Sequence, residues 1–142
     1  ASGLDEAAAG GVYRAIDKFD KIGADGVREE LLRTGVSAEA ADAILAMVQI
    51  DGDAGDVLEE LSGRLAGDAR AAAALENLRA VIGGLADMGV SPGRYRVAPR
   101  LARGLSYYTG LVFEAATPHW PEGSLLGGGR YDELIGQFAG RP

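Results

Sequence analysis

Val12, Ile16 and Phe19 recur at i, i+4 and i+7, while Arg14, Asp17 and Lys18 fall on other faces, which predicts an amphipathic helix. The stretch KIGADG at 21–26 interrupts it, and Asp25 is placed to cap a second helix carrying Val27, Leu31 and Leu32 before Gly35. Ser37 opens a third helix striped by Ala40, Ile44, Met47 and Val48. A turn cluster, DGDAGD at 51–56, separates it from a fourth helix, where Asp56 and Glu59 have capping-box spacing ahead of Leu58, Leu61 and Leu65. The acids of that cluster lack calcium-loop spacing and have no glutamate at the twelfth position, so they read as helix punctuation. The longest helix is expected over roughly 68–88, with Leu75, Leu78, Ile82 and Leu85 at helical spacing and a weak point at Gly83-Gly84. No period links these helices, which excludes a solenoid.

The pattern changes at VSPG, 90–93. Strands are expected around Val97 and at 111–113, Thr109-Gly110 has the composition of a hairpin turn, and Leu125-Leu126 leads into a glycine turn. Asp132 is positioned to cap a short helix through Glu133, Leu134, Ile135 and Phe138. The expected fold class is α+β: an all-helical domain at 1–92, then a smaller unit at 93–142 with strands and a short helix.

Charge follows the same division. Residues 1–92 hold 8 basic and 17 acidic side chains, and residues 93–142 hold 6 and 4, within a chain of net charge −7. The helical part should therefore repel a phosphate backbone, and any anion is expected in the second part. A chain of 142 residues is long enough for a real core. With no cysteine, disulfides and thiolate metal sites are excluded, and a single histidine, His119, argues against a histidine-rich metal cage or a histidine-based relay. No run of ~18 apolar residues predicts a membrane span, and the acidic N-terminus (Asp5, Glu6) lacks the basic region of a secretion signal, so a cytoplasmic setting is expected.

Two blocks carry candidate chemistry: RGLSYYTG at 103–110, followed by LVFEA, and GGGRYDEL at 127–134. Three glycines permit either a sharp bend or close approach of a ligand or neighbouring chain. Their spacing matches neither a P-loop nor a dinucleotide fingerprint. Taken by residue type, Gly127 to Tyr131 fit a β-turn and a surface-paired Arg130. Arg103 fits either a surface charge in the row Arg94, Arg96, Arg100, Arg103 or a pocket residue gripping an anionic group through its planar fork. Tyr107 and Tyr108 offer an apolar face with a polar tip to an aromatic ligand, or half a core.

Together the two blocks resemble the paired signatures specific to histidyl-tRNA synthetases, in order and with a short loop between them. The stretch at 13–36 is similar to the α-helical insertion that precedes those signatures in the family. The resemblance implies that the second unit is part of a class II synthetase antiparallel sheet. It also implies a ligase that joins histidine to ATP and passes the activated histidine to tRNA(His), with charge placed near the reacting phosphate. Carried over by position, Arg103 would contact the α-phosphate. Tyr107, Tyr108, Arg130 and Tyr131 would hold histidine beside the close-packed backbone of Gly127, Gly128 and Gly129. Asp132 is expected to cap the next helix, and Glu114 to serve structure. ATP and magnesium would be co-substrates of the whole enzyme, with neither bound by this segment alone. A homodimer is expected, and neither a membrane nor DNA is an expected partner.

Arg103 and Tyr108 are five positions apart, so a straight strand would send them to opposite faces, and a shared pocket requires a bulge at 103–107 near Gly104. Ser106 stands where the family has aspartate. The earlier ATP-gripping strands, the later glycine-arginine strand and an anticodon-reading domain have no counterpart in these residues. The resemblance is thus to an internal piece of a synthetase, expected to be inactive alone. Two rivals stay open: a catalytically silent relative, such as the regulatory subunit of ATP phosphoribosyltransferase or a synthetase-like kinase sensor, and a helical interaction module whose tail merely packs.

Overall fold

The computed structural model describes residues 6–102, 108–120 and 123–140. Contacts divide the chain into two units, Ala1–Ala102 and Arg103–Pro142. Among the described residues the first unit holds five α-helices, and the second holds a two-stranded antiparallel sheet and one short helix. The fold class is α+β.

In the first unit, α1 (Glu6–Asp17) is followed by α2 (Phe19–Arg33), in which Gly23 at φ 68° breaks the helical backbone. That angle lies in the left-handed region, which glycine adopts without a Cβ penalty. Two helical segments therefore meet at Gly23, inside the interruption expected at 21–26, and Asp25 lies within the second segment. α3 (Ala38–Val48) begins where expected: the Ser37 hydroxyl accepts a hydrogen bond from the Ala40 N–H at 3.2 Å. A cap of this kind contributes about 1 kcal/mol to its helix.

α4 (Ala54–Arg64) starts ahead of the Asp56–Glu59 pair, with Asp53 in the N-cap position, so the expected capping box is not formed. Asp56 instead lies in the first turn, where a carboxylate still complements the helix dipole. α5 (Ala69–Asp87) spans the predicted longest helix. Its cap, Asp68, accepts from the Arg70 and Ala71 N–H groups at 2.9 and 3.0 Å, and Gly83-Gly84 remain helical. The Ala71 and Arg70 hydrogen bonds, in that order, hold the Asp68 carboxyl below its ordinary range.

Two apolar clusters organise this unit. Val27, Leu31 and Ala41 are fully buried where α1, α2 and α3 meet, with Ile16, Leu45 and Val48 beside them. A second cluster gathers Ile50, Val57, Leu58, Leu61 and Leu75 between α4 and α5. Arg28 adds a forked ion pair to Asp42, joining α2 to α3 at 2.6 and 3.3 Å.

Val97 is buried in the second cluster and Ala102 packs on the first, so residues up to 102 complete the helical packing beyond the charge boundary at residue 92. The strand expected around Val97 is not formed: its side chain inserts between helices while its backbone lies outside regular structure. Counted by unit, residues 103–142 hold 3 basic and 4 acidic side chains, so the positive balance of 93–142 comes from arginines that precede the sheet. One of them, Arg100, pairs with Asp20 at 3.5 Å.

In the second unit, β1 (Val112–Ala115) pairs antiparallel with β2 (Leu126–Gly129), and α6 (Leu134–Ala139) follows. The register sets Val112 opposite Gly129, Phe113 opposite Gly128, Glu114 opposite Gly127 and Ala115 opposite Leu126. The glycine triplet is thus strand, not the expected turn. The hairpin reverses between 115 and 126 rather than at Thr109-Gly110, with Thr117 and Trp120 bridging inside the connection. α6 has Glu133 at its N-cap position without a side-chain cap bond, and Asp132 is occupied elsewhere.

Candidate functional site

Glycine disfavours a strand because it has no side chain to pack, so a glycine triplet in a strand marks a place where something else must fill the surface. Here aromatic rings fill it from both sides. A Cβ on Gly129 would lie 2.6 Å from Tyr108 Cδ1 and 2.8 Å from the Leu111 carbonyl oxygen, and a Cβ on Gly128 would lie 2.7 Å from Phe113 Cζ. Alternation along β2 explains the two faces: the Gly128 face carries the Phe113 ring and the Gly129 face carries Tyr108. Of the two openings left by the residue types, bend or close approach, the triplet takes close approach.

Tyr108 reaches Gly129 across a bend at Gly110, just before β1. Val112 is the register partner of Gly129, and four extended residues would carry Tyr108 about 13 Å along the strand. The ladder breaks at Arg130 instead. Its N–H donates to the Leu111 carbonyl at 2.9 Å, while its carbonyl accepts from the Thr109 N–H at 2.8 Å, so one residue pairs with two that are two positions apart. Gly110 sits at the bend between them, against the Arg130 side chain: a Cβ there would meet Arg130 Cδ at 3.3 Å. This irregularity lies just after the stretch where a bulge was expected. The expected bulge at 103–107 is itself outside the described residues, as are Arg103, Tyr107 and Ser106.

Two residues beyond Gly129, Tyr131 emerges on the same face. Its ring centroid is 6.4 Å from that of Tyr108, with the planes inclined at 51°. Tyr108 is half-buried and Tyr131 is 51% exposed, so part of the pair's aromatic surface is accessible. The register also brings Glu114, opposite Gly127, to this face, a placement that its position in the sequence alone did not reveal. Knowing the register is what finds it.

Arg130 alternates away from Tyr131 and is tied down. Its Nε donates to Asp132 Oδ1 at 2.9 Å, the Thr109 hydroxyl donates to Asp132 Oδ2 at 2.9 Å, and the Asp132 N–H donates back to the Thr109 hydroxyl oxygen at 3.1 Å. The Arg130 hydrogen bond first, and then the Thr109 hydroxyl, hold the Asp132 carboxyl below the usual carboxylate range. Asp132 beside it raises the Arg130 guanidinium correspondingly. The expected helix cap is therefore a cross-strand anchor. α6 begins one residue too late for Asp132 to be its N-cap, and a guanidinium and a hydroxyl together satisfy both carboxylate oxygens. His119 donates its backbone N–H to Thr117 Oγ1 at 3.4 Å in the exposed connection.

A family model described as histidyl-tRNA synthetase matches residues 1–142. The chain is 42% identical over 129 residues to the histidine–tRNA ligase of Rhodopirellula baltica, covering 89% of this chain and 29% of that protein. It is 41% identical over 130 residues to the histidine–tRNA ligase of Aeropyrum pernix, covering 92% and 29%. The crystal structure of histidyl-tRNA synthetase from Nostoc sp. PCC 7120 matches with a TM-score of 0.89 at 36% identity, over 98% of this chain and 33% of that one. The chain thus spans about three tenths of the length of these curated relatives. Matched by the family model over its entire length, the chain belongs to the histidyl-tRNA synthetase family.

Proposed function

We propose that this chain supplies part of the amino-acid pocket of a histidine–tRNA ligase, which activates histidine with ATP and transfers it to tRNA(His). The observation that carries this reading is the tyrosine pair, two rings 6.4 Å apart above a strand of glycines, in a chain of this family. An imidazole is flat, partly apolar and bears one donor and one acceptor nitrogen. Two inclined aromatic faces with hydroxyl tips suit both properties, and the bare backbone of Gly127, Gly128 and Gly129 supports them by letting the Tyr108 ring lie directly on the strand, with Phe113 on its other face. Tyr108 and Tyr131 are proposed to hold the histidine, with Tyr107 adjacent. Arg103 is proposed to meet the α-phosphate, where a fixed positive charge stabilises the charge that develops as the adenylate forms. Arg130 serves the pocket through its tie to Asp132.

ATP with magnesium would be the co-substrate of the whole enzyme. Neither is proposed to be bound by this segment alone. The helical unit, 1–92 by charge, is proposed as the family's insertion. Its acidic excess limits any tRNA contact to a few local sites. A cytoplasmic homodimer is the proposed setting.

Histidine-dependent exchange of pyrophosphate into ATP tests the reading. The full-length protein is expected to catalyse exchange, and the 142-residue chain alone to show none. Exchange by the chain alone would contradict the partition of the site. A full-length protein that binds histidine without exchange would instead be a silent, regulatory relative.

A further inference from the structure

Every member of the Thr109–Arg130–Asp132 cluster is the chain neighbour of a pocket tyrosine: Thr109 follows Tyr108, and Arg130 and Asp132 flank Tyr131. The three residues are bonded to one another. Thr109 is bonded through its N–H to the Arg130 carbonyl at 2.8 Å and through its hydroxyl to Asp132 in both directions, while Asp132 also receives the Arg130 guanidinium. These bonds form at the point where the β1–β2 ladder is irregular, so regular strand pairing does not fix how far Tyr108 stands from Tyr131. Arg130, on the alternate face from Tyr131, lies with its stem across Gly110 and leaves the tyrosine face clear.

We propose that Thr109, Arg130 and Asp132 act together as positioning residues that set the spacing of Tyr108 and Tyr131, and thereby the affinity for histidine, without touching the substrate. The inference rests on the pocket reading above and adds to it what determines the pocket's width. The threonine hydroxyl is the key part because it alone both donates to and accepts from Asp132. Valine has the same shape and lacks the hydroxyl, whereas serine keeps the hydroxyl and lacks the methyl.

The test uses pyrophosphate exchange by the full-length protein, with KM for histidine and for ATP measured separately. Thr109→Val is expected to raise the histidine KM about tenfold, leaving the ATP KM within about twofold, and Thr109→Ser to return the histidine KM close to wild type. Asp132→Asn, which weakens the tie to Arg130, is expected to raise the histidine KM in the same sense and also to spare the ATP KM. An unchanged histidine KM in Thr109→Val overturns the proposal. So does a loss that falls equally on histidine and ATP, or one that serine does not rescue, because each of these is the signature of general destabilisation. Should Thr109→Val fail to fold, the Asp132→Asn and Thr109→Ser proteins decide by the same split. A wild-type protein showing neither exchange nor histidine binding overturns the pocket reading and this inference with it. An active wild type with an indifferent Thr109→Val overturns the inference alone.

Discussion

Gly129→Ala is expected to raise the histidine KM of the full-length protein on the order of a hundredfold. The added methyl would sit 2.6 Å from the Tyr108 ring and 2.8 Å from the Leu111 carbonyl oxygen. Neither can yield cheaply: the carbonyl belongs to the backbone and accepts the Arg130 N–H, and the ring is half-buried. Moving the Tyr108 ring by about 1 Å displaces a group proposed to meet the ligand, and misplacement of that size costs about 100-fold in well-fitted sites. Gly128→Ala is the matched control. Its methyl would meet only the far edge of Phe113, a side chain 51% exposed that can swing outward, and on the opposite face. Its effect on the histidine KM should stay within about twofold. Equal effects at the two glycines, measured by pyrophosphate exchange, would mean that the triplet is merely intolerant of side chains and that Tyr108 does not define a pocket.

The second large effect concerns the helical unit. Leu31 is fully buried where α1, α2 and α3 meet. Leu31→Ala removes its apolar contacts and leaves a cavity that packed helices close only in part, a loss of about 3 kcal/mol, with values of about 2–5 found for such sites. Leu32, the next residue, is 38% exposed, and Leu32→Ala should cost about 1 kcal/mol or less. Urea unfolding followed by the helical circular dichroism signal would report both. A Leu32→Ala loss as large as that of Leu31→Ala would show that the cluster is not the core of the unit.

The helices were legible because their signals are local. Ser37 and Asp68 cap α3 and α5 as their positions predict, since a side-chain oxygen needs only the next turn's N–H groups to fulfil the role. Where two local signals compete, the sequence misleads. Asp56 and Glu59 have capping-box spacing, but the chain enters the helix at Asp53, and an acid in the first turn is stabilised there regardless. The second unit was harder to read because its decisive contacts are not local. Three glycines favour a turn by their own backbone freedom, and only the rings of Tyr108 and Phe113, brought in from another strand, explain why they are extended. Asp132 looked like a cap until its partner 23 positions away, Thr109, was known. Val97 is a β-branched residue of the kind strands favour, yet it fills a gap between helices.

The tyrosine pair is the centre of the account, and its contribution is measured most directly by calorimetric titration of histidine onto the full-length protein and its Tyr131→Phe and Tyr108→Phe variants. Each substitution keeps the ring and removes one hydroxyl, so packing against the glycine strand is preserved while a hydrogen bond to the ligand is lost. The account predicts that the wild type binds histidine and that each variant binds it about tenfold more weakly. Affinity that is unchanged in both variants would contradict it.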